Sequence, residues 1–217
     1  MKLGLVLAGL LVAVLFVVGC SHRRSGGELR LKHEVTIATS EGERTFTSVV
    51  SMDGFQTYNY GAGTAGWGGI SCTLTGKAVR VPLGDKDFFF LLKRESTPAW
   101  DQIELVKDFF GLPNATNDDS WVAHWRRLAS SDLAVPVPPE AYPKIAVMPR
   151  DGWMDDARRV TLEEAQEQGL RVVRYRLQIT RDEVGTDPPF EVRYRPEIKS
   201  WIGVIGRESF SVVNGTA

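Results

Sequence analysis

Leu31, His33, Val35, Ile37 and Thr39 alternate with Arg30, Lys32, Glu34, Thr36 and Ala38, and a period of two puts the first set on one face of a half-buried strand. Ser40-Glu41-Gly42-Glu43 is turn composition, and Phe46, Ser48, Val50 and Met52 resume the alternation. Together they predict a hairpin closed at Asp53-Gly54, with the aromatic stretch Phe55–Tyr60 extending the sheet. Residues 61–69 read GAGTAGWGG, a loop by composition, before a third strand over Ile70–Val81 with a bend at Gly76. Phe88–Leu92 is a buried strand, and Asp85, Lys86, Asp87, Lys93 and Arg94 around it are the charges that keep such a run from aggregating. A four- or five-stranded antiparallel meander over residues 29–94 is expected.

Helical spacing follows. Trp100, Ile103, Val106 and Phe110 share a face between a Thr97-Pro98 start and a Gly111 stop. After the capping residues Asn117–Ser120, Trp121, Val122, Trp125, Leu128 and Ala129 form a second apolar stripe. Pro136, Pro138, Pro139 and Pro143 crowd the next stretch and forbid regular structure through it. Ile145–Met148 reads as a short strand, and Thr161-Leu162-Glu163-Glu164 as a capping box for a short helix ending at Gly169. Val173, Tyr175, Leu177 and Ile179 alternate again, as do Phe190, Val192 and Tyr194, and residues 198–213 suit a last strand. The expected fold is α+β: a β-rich antiparallel N-terminal meander, two or three short helices in the middle, C-terminal strands, all in one domain over residues 29–217.

The first residues obey neither period. Met1-Lys2 precedes an uncharged apolar run, Leu3–Val18, and polar sequence resumes after Gly19-Cys20-Ser21. A basic start, an apolar centre and a small residue before a cut site are the parts of an export signal. Val17-Val18-Gly19-Cys20 resembles the lipobox of bacterial lipoproteins, which implies removal of residues 1–19 and a diacylglyceryl thioether on Cys20. Residues 20–28 then read as a flexible tether, and membrane lipid as the partner reached through Cys20. Two other readings stay open. The run is long enough to remain as a single-pass inner-membrane anchor, with Arg23, Arg24, Arg30 and Lys32 behind it, or the product is secreted and soluble. If Cys20 is acylated, Cys72 has no intramolecular partner and reads as a small buried residue; if Cys20 is free, a Cys20–Cys72 disulfide is open to it.

Charge removes one large class. In 217 residues, 26 Lys and Arg face 27 Asp and Glu, a net charge of −1, so nothing global points to nucleic acid. Gly61-Ala62-Gly63-Thr64-Ala65-Gly66 matches a dinucleotide fingerprint in letters, but strand-type sequence follows where a helix must start. His22, His33 and His124 show no metal spacing, and Asp151, Asp155 and Asp156 lack the order of a calcium loop, so no metal or cofactor is expected. No nucleophile elbow surrounds Ser71-Cys72, which leaves Cys72 and His124 as suspects only if the fold joins them. Trp67 and Trp153, in loop sequence, are the candidate contact residues.

Leu31–Val50, Gly76–Gly84 with Phe88–Leu92, Ile145–Thr161 and Leu177–Asp182 together resemble a family of uncharacterised bacterial envelope lipoproteins. The resemblance implies a periplasm-facing envelope location and carries no catalytic residue. Ser21, where inner-membrane retention favours Asp, tips it toward the outer membrane. The functional expectation is a membrane-tethered, non-catalytic binding module, with an envelope protein as a partner. The alternative is a periplasmic enzyme whose site is assembled from distant residues.

Overall fold

The computed structural model describes residues 20–60, 68–92, 98–114, 120–150, 156–185 and 211–212. Its spine is a long hairpin of β1 (Cys20–Thr39) and β2 (Gly42–Tyr60), paired from Thr39↔Gly42 to Cys20↔Tyr60. The tether expected over residues 20–28 is therefore strand. Ser and Gly there suit a linker, but β2 runs through Asp53-Gly54 instead of ending there, and its last residues satisfy the backbone of residues 20–28. A bulge between Ser25 and Gly27 absorbs the glycines: Gly27 adopts φ +84° and its N–H donates to Ser25 Oγ at 3.0 Å.

β3 (Gly68–Lys77) lies antiparallel beside β2. At Gly76 the backbone has φ +149°, and a Cβ there would stand 2.8 Å from Val50 Cα, so only glycine fits this close crossing. The chain then changes sheets. The single strand expected over Ile70–Val81 is two, with β4 (Val79–Leu83) opening a second sheet with β5 (Lys86–Phe90), β7 (Ile145–Pro149) and β8 (Arg158–Val160). The larger sheet has the order β10-β3-β2-β1-β9-β6, with β9 Arg171–Thr180, β6 Ala134–Val137 and β10 Ser211–Val212. β6 contains Pro136, inside the stretch expected to be irregular. It is an edge strand, where a residue without an N–H is tolerated. Phe190–Tyr194 and all of residues 198–213 except 211–212 lie outside the described residues. The protein is α+β, mostly antiparallel strand with a few short helices.

The helices are α1 (Pro98–Phe110), α2 (Ser120–Ala129) and α3 (Leu162–Glu167). Gly111 at φ +70° ends α1, donating to Lys107 O, and the Thr161–Glu164 capping box starts α3 with both reciprocal bonds. One core holds the inner face of the large sheet (Leu29, Leu31, Val35, Ile37), one face of the small sheet (Phe88, Phe90) and the stripes of α1 and α2. The opposite face of the small sheet buries its own cluster, including Phe89, Leu91 and Met148. Two residues of α2 set the packing distance: Trp121 and Trp125 stack at 5.0 Å, and Trp125 Nε1 donates to Gly27 O at 2.8 Å.

Candidate functional site

The tip of the β1–β2 hairpin meets the β4–β5 turn around an open cleft of about 560 Å³. Ile37 and Phe46 form its apolar floor, and Arg44, Arg80 and Arg150 line it, with Glu41 as the one carboxylate among the lining residues. Each arginine comes from a different element: Arg44 from β2, Arg80 from β4, and Arg150 from the residue after β7. Arg44 is steadied by Phe46, its guanidinium carbon 5.5 Å from the ring centre.

Asp87 holds the other two. Strand alternation turns Asp87 to the same face as Phe89, where its side chain is fully buried. Arg80 Nη2 donates to Asp87 Oδ2 at 2.7 Å, and Arg150 Nε lies 3.8 Å from Oδ1. Oδ1 makes no hydrogen bond among the described residues. The two side chains are 41% and 44% exposed, and both line the cleft. A buried carboxylate thus holds Arg80 by a hydrogen bond and Arg150 by a longer ion pair, beside a third arginine, and guanidinium forks match a carboxylate or a phosphate. Asp87, expected among solvated guarding charges, is an interior ion-pair residue.

A larger groove of about 780 Å³ lies between Pro139, Tyr142, Pro143 and Leu162. Of its polar groups, Thr161 and Glu164 are bonded to each other in the α3 cap. It presents no comparable set of fixed donors.

The residues singled out from sequence scatter. Cys20 opens β1 opposite Tyr60. Trp67 and Trp153 lie outside the described residues, as do Gly61–Gly66, Asp151 and Asp155. Cys72 is half-buried on the core side of β3, with Sγ 3.5 Å from Thr73 O. Burial, with a smaller push from the Asp53 charge, raises its thiol to about 12, so it stays protonated at neutral pH. A Cys20–Cys72 disulfide is excluded by register: their β2 partners, Tyr60 and Gly54, are six positions apart, about 20 Å along the strand. His124, half-buried on α2, contacts Arg127, and no hydrogen bond joins it to Cys72.

Among the described residues, His33 is the buried histidine. Its Nδ1 meets Tyr175 Oη at 2.5 Å, and Gln102, whose Nε2 donates to Leu92 O at 2.8 Å, lies on its other side. Burial lowers the imidazole to about 4, with Gln102 opposing in part, so His33 is neutral and joins β1 to β9 through Tyr175, while its Nε2 makes no hydrogen bond among the described residues. Among the described residues no group of three or more His, Cys, Asp or Glu is arranged to hold a metal. No helix among them is long and apolar enough to cross a membrane.

The arginine cleft was not legible in the sequence. Arg44 and Arg80 occupy polar positions of alternating strands, where a solvated face explains them equally well. The one available signal was Asp87, an acid directly adjoining Phe88-Phe89-Phe90. Comparison with protein-family models, with curated proteins and with solved structures finds no match to this chain.

Proposed function

We propose that this chain is a membrane-tethered bacterial envelope lipoprotein, anchored through an acylated Cys20, that works as a non-catalytic binding module and takes an anionic group of its ligand into the Arg44/Arg80/Arg150 cleft. The single observation that carries the binding reading is the cleft itself: three arginines from three elements line it, one hydrogen-bonded and one ion-paired at 3.8 Å to a buried carboxylate. The chemistry there is recognition. Forked N–H donors bind and orient a carboxylate or phosphate, while no His or Cys is among the lining residues to move a proton or attack. The address rests on the Gly19-Cys20 junction after the apolar run, and the domain faces the periplasm, with the outer membrane favoured by Ser21. An envelope protein bearing an exposed carboxylate or phosphate is a suitable partner.

Thermal unfolding of the full chain in detergent, titrated with inorganic pyrophosphate and with a tricarboxylate, tests the cleft. A ligand that binds only the folded state at a hundred times its Kd stabilises it by about 2.7 kcal/mol. We expect a saturable rise in Tm with at least one anion, lost when Arg44 and Arg150 are both changed to Ser while Arg80 is kept on Asp87. No rise with either anion, or the same rise in the double variant, removes the cleft from the proposal.

A further inference from the structure

The cleft and Cys20 stand at opposite ends of one strand. β1 runs for 20 residues from Cys20 to Thr39, paired with β2 except at the bulge between Ser25 and Gly27, and Thr39 lines the cleft. At about 3.3 Å per residue the two ends are separated by roughly 60 Å of strand. Because the tether is strand, no slack intervenes between Cys20 and the folded body. Whether the anchor is acyl chains on Cys20 or the retained Leu3–Val18 run, Cys20 lies at the bilayer and whatever surrounds it faces headgroups.

Among the described residues, the charged side chains nearest it along β1 and on α2 are basic. Arg23 and Arg24 follow within four residues, roughly 10–13 Å along the strand and so near the ~8 Å screening length of physiological salt. The last turn of α2 adds Arg126 and Arg127, and Arg126 Nη2 donates to Ser25 O at 2.8 Å, which ties the helix to this end of β1. Arg23 lies flat over Phe55, 3.6 Å from the ring centre, pairing a cation with an aromatic face. A small cleft of about 290 Å³ runs between Arg24, Ser25, Val122, Ala123 and Arg126. Neither Cys20–Ser25 nor α2 contains a carboxylate, and the first on β1, Glu28, is bonded to Arg30 and Ser51. Asp118 and Asp119, just before α2, lie outside the described residues.

We infer that the Cys20 end of the sheet, with Arg23, Arg126 and Arg127, is a foot that seats on anionic phospholipid headgroups and holds the Arg44/Arg80/Arg150 cleft at the far pole, away from the bilayer. The inference rests on the membrane-tethered reading. Its partner is committed by charge and by the apolar run that ends at Cys20: a lipid surface bearing phosphodiester anions. Polybasic segments beside an anchor bind such surfaces with about 1 kcal/mol per Arg, and the attraction falls away with salt.

The test uses the full chain reconstituted into phosphatidylcholine vesicles with or without phosphatidylglycerol, and phenylglyoxal as an arginine-specific label read residue by residue by mass spectrometry. Labelling of Arg23, Arg126 and Arg127 is expected to fall roughly fivefold on the anionic vesicles and to recover in high salt. Arg44, Arg80 and Arg150, at the other pole, should label equally on both. A chain that co-floats with vesicles but labels identically at all six arginines on both lipids overturns the foot and leaves the tether standing. Protection of the cleft arginines instead overturns the orientation. A chain that does not co-float at all overturns the tether, and the foot with it.

Discussion

His33 gives the fold a pH dependence whose sign follows from its environment. Buried between Tyr175 and Gln102, its imidazole is held down at about 4, against about 6.5 in an unfolded chain. Between those values the unfolded state binds a proton that the folded state refuses. The contribution to stability is therefore complete above about pH 6.5, falls as the pH drops toward 4, and is flat below it. The shift is worth about 3 kcal/mol. Carboxylates such as Glu28 and Asp182, lowered mainly by Arg30 and Lys32 respectively, add losses of the same sign at the acid end, so the measurement is a difference. In denaturant titrations at pH 7.5 and 4.5, wild type should lose roughly 2–3 kcal/mol more than His33→Gln. Parallel losses would show that His33 is not the group responsible. Steric limits act just as locally at Gly54, where an added Cβ would stand 2.7 Å from Trp125 Cε2 and 2.9 Å from Trp121 Cη2. Gly54→Ala should cost about 1–3 kcal/mol, as overpacking of a core does. Gly69→Ala, on the neighbouring strand with open space at its Cβ, should stay within about 0.5 kcal/mol. Equal effects in chemical denaturation would mean that the Trp pair yields easily.

At the scale of elements, β4, β5 and the end of β7 cohere partly through an asymmetric ion pair, and the asymmetry is testable. Removing Arg80 leaves the fully buried Asp87 carboxylate with only Arg150, 3.8 Å away. Removing the charge of Asp87 leaves two guanidiniums that already reach solvent. Arg80→Met should therefore cost about 3 kcal/mol and Asp87→Asn about 1 kcal/mol in equilibrium unfolding. The reverse order would mean that burial of the carboxylate is not what makes the pair matter. Which elements were legible in the sequence follows the same distinction between local and distant causes. The alternations of Leu31–Thr39 and Tyr175–Ile179, the α2 stripe and the Thr161 capping box are local patterns that the fold keeps, whereas Val173, expected on the same face as Tyr175, is 50% exposed because the β1–β9 register shifts between Thr36 and Ile37 and skips it. The split at Gly76 depends on Val50 crossing beneath it, the pairing of residues 20–28 on a partner segment beyond Asp53-Gly54, and the β6 strand on Pro136 lying at an edge. None of these is written in the residues that change. The cleft is harder still, since Arg44, Arg80 and Arg150 meet only once two sheets and a hairpin tip are assembled.

The whole molecule is polar in the geometric sense: a basic end at Cys20, a continuous strand, and an arginine-lined cleft at the other end. That geometry separates address from fold. Cys20 contributes to the sheet through backbone pairing with Tyr60, which serine at the same position preserves. Cys20→Ser, which keeps the backbone groups that pair with Tyr60, should thus leave unfolding free energy within about 0.5 kcal/mol of wild type. It should also abolish labelling by radioactive palmitate and change the mobility of the mature chain, because the thioether needs sulfur. The two outcomes must occur together for the lipoprotein reading. Unaltered labelling removes Cys20 as the acylated residue. An unlabelled wild type that sediments with membranes, and a Cys20→Ser variant that does the same, identify the Leu3–Val18 run as a retained anchor instead. Even then the strand begins at the bilayer, and the distance from headgroups to Arg44, Arg80 and Arg150 is still set by the length of β1.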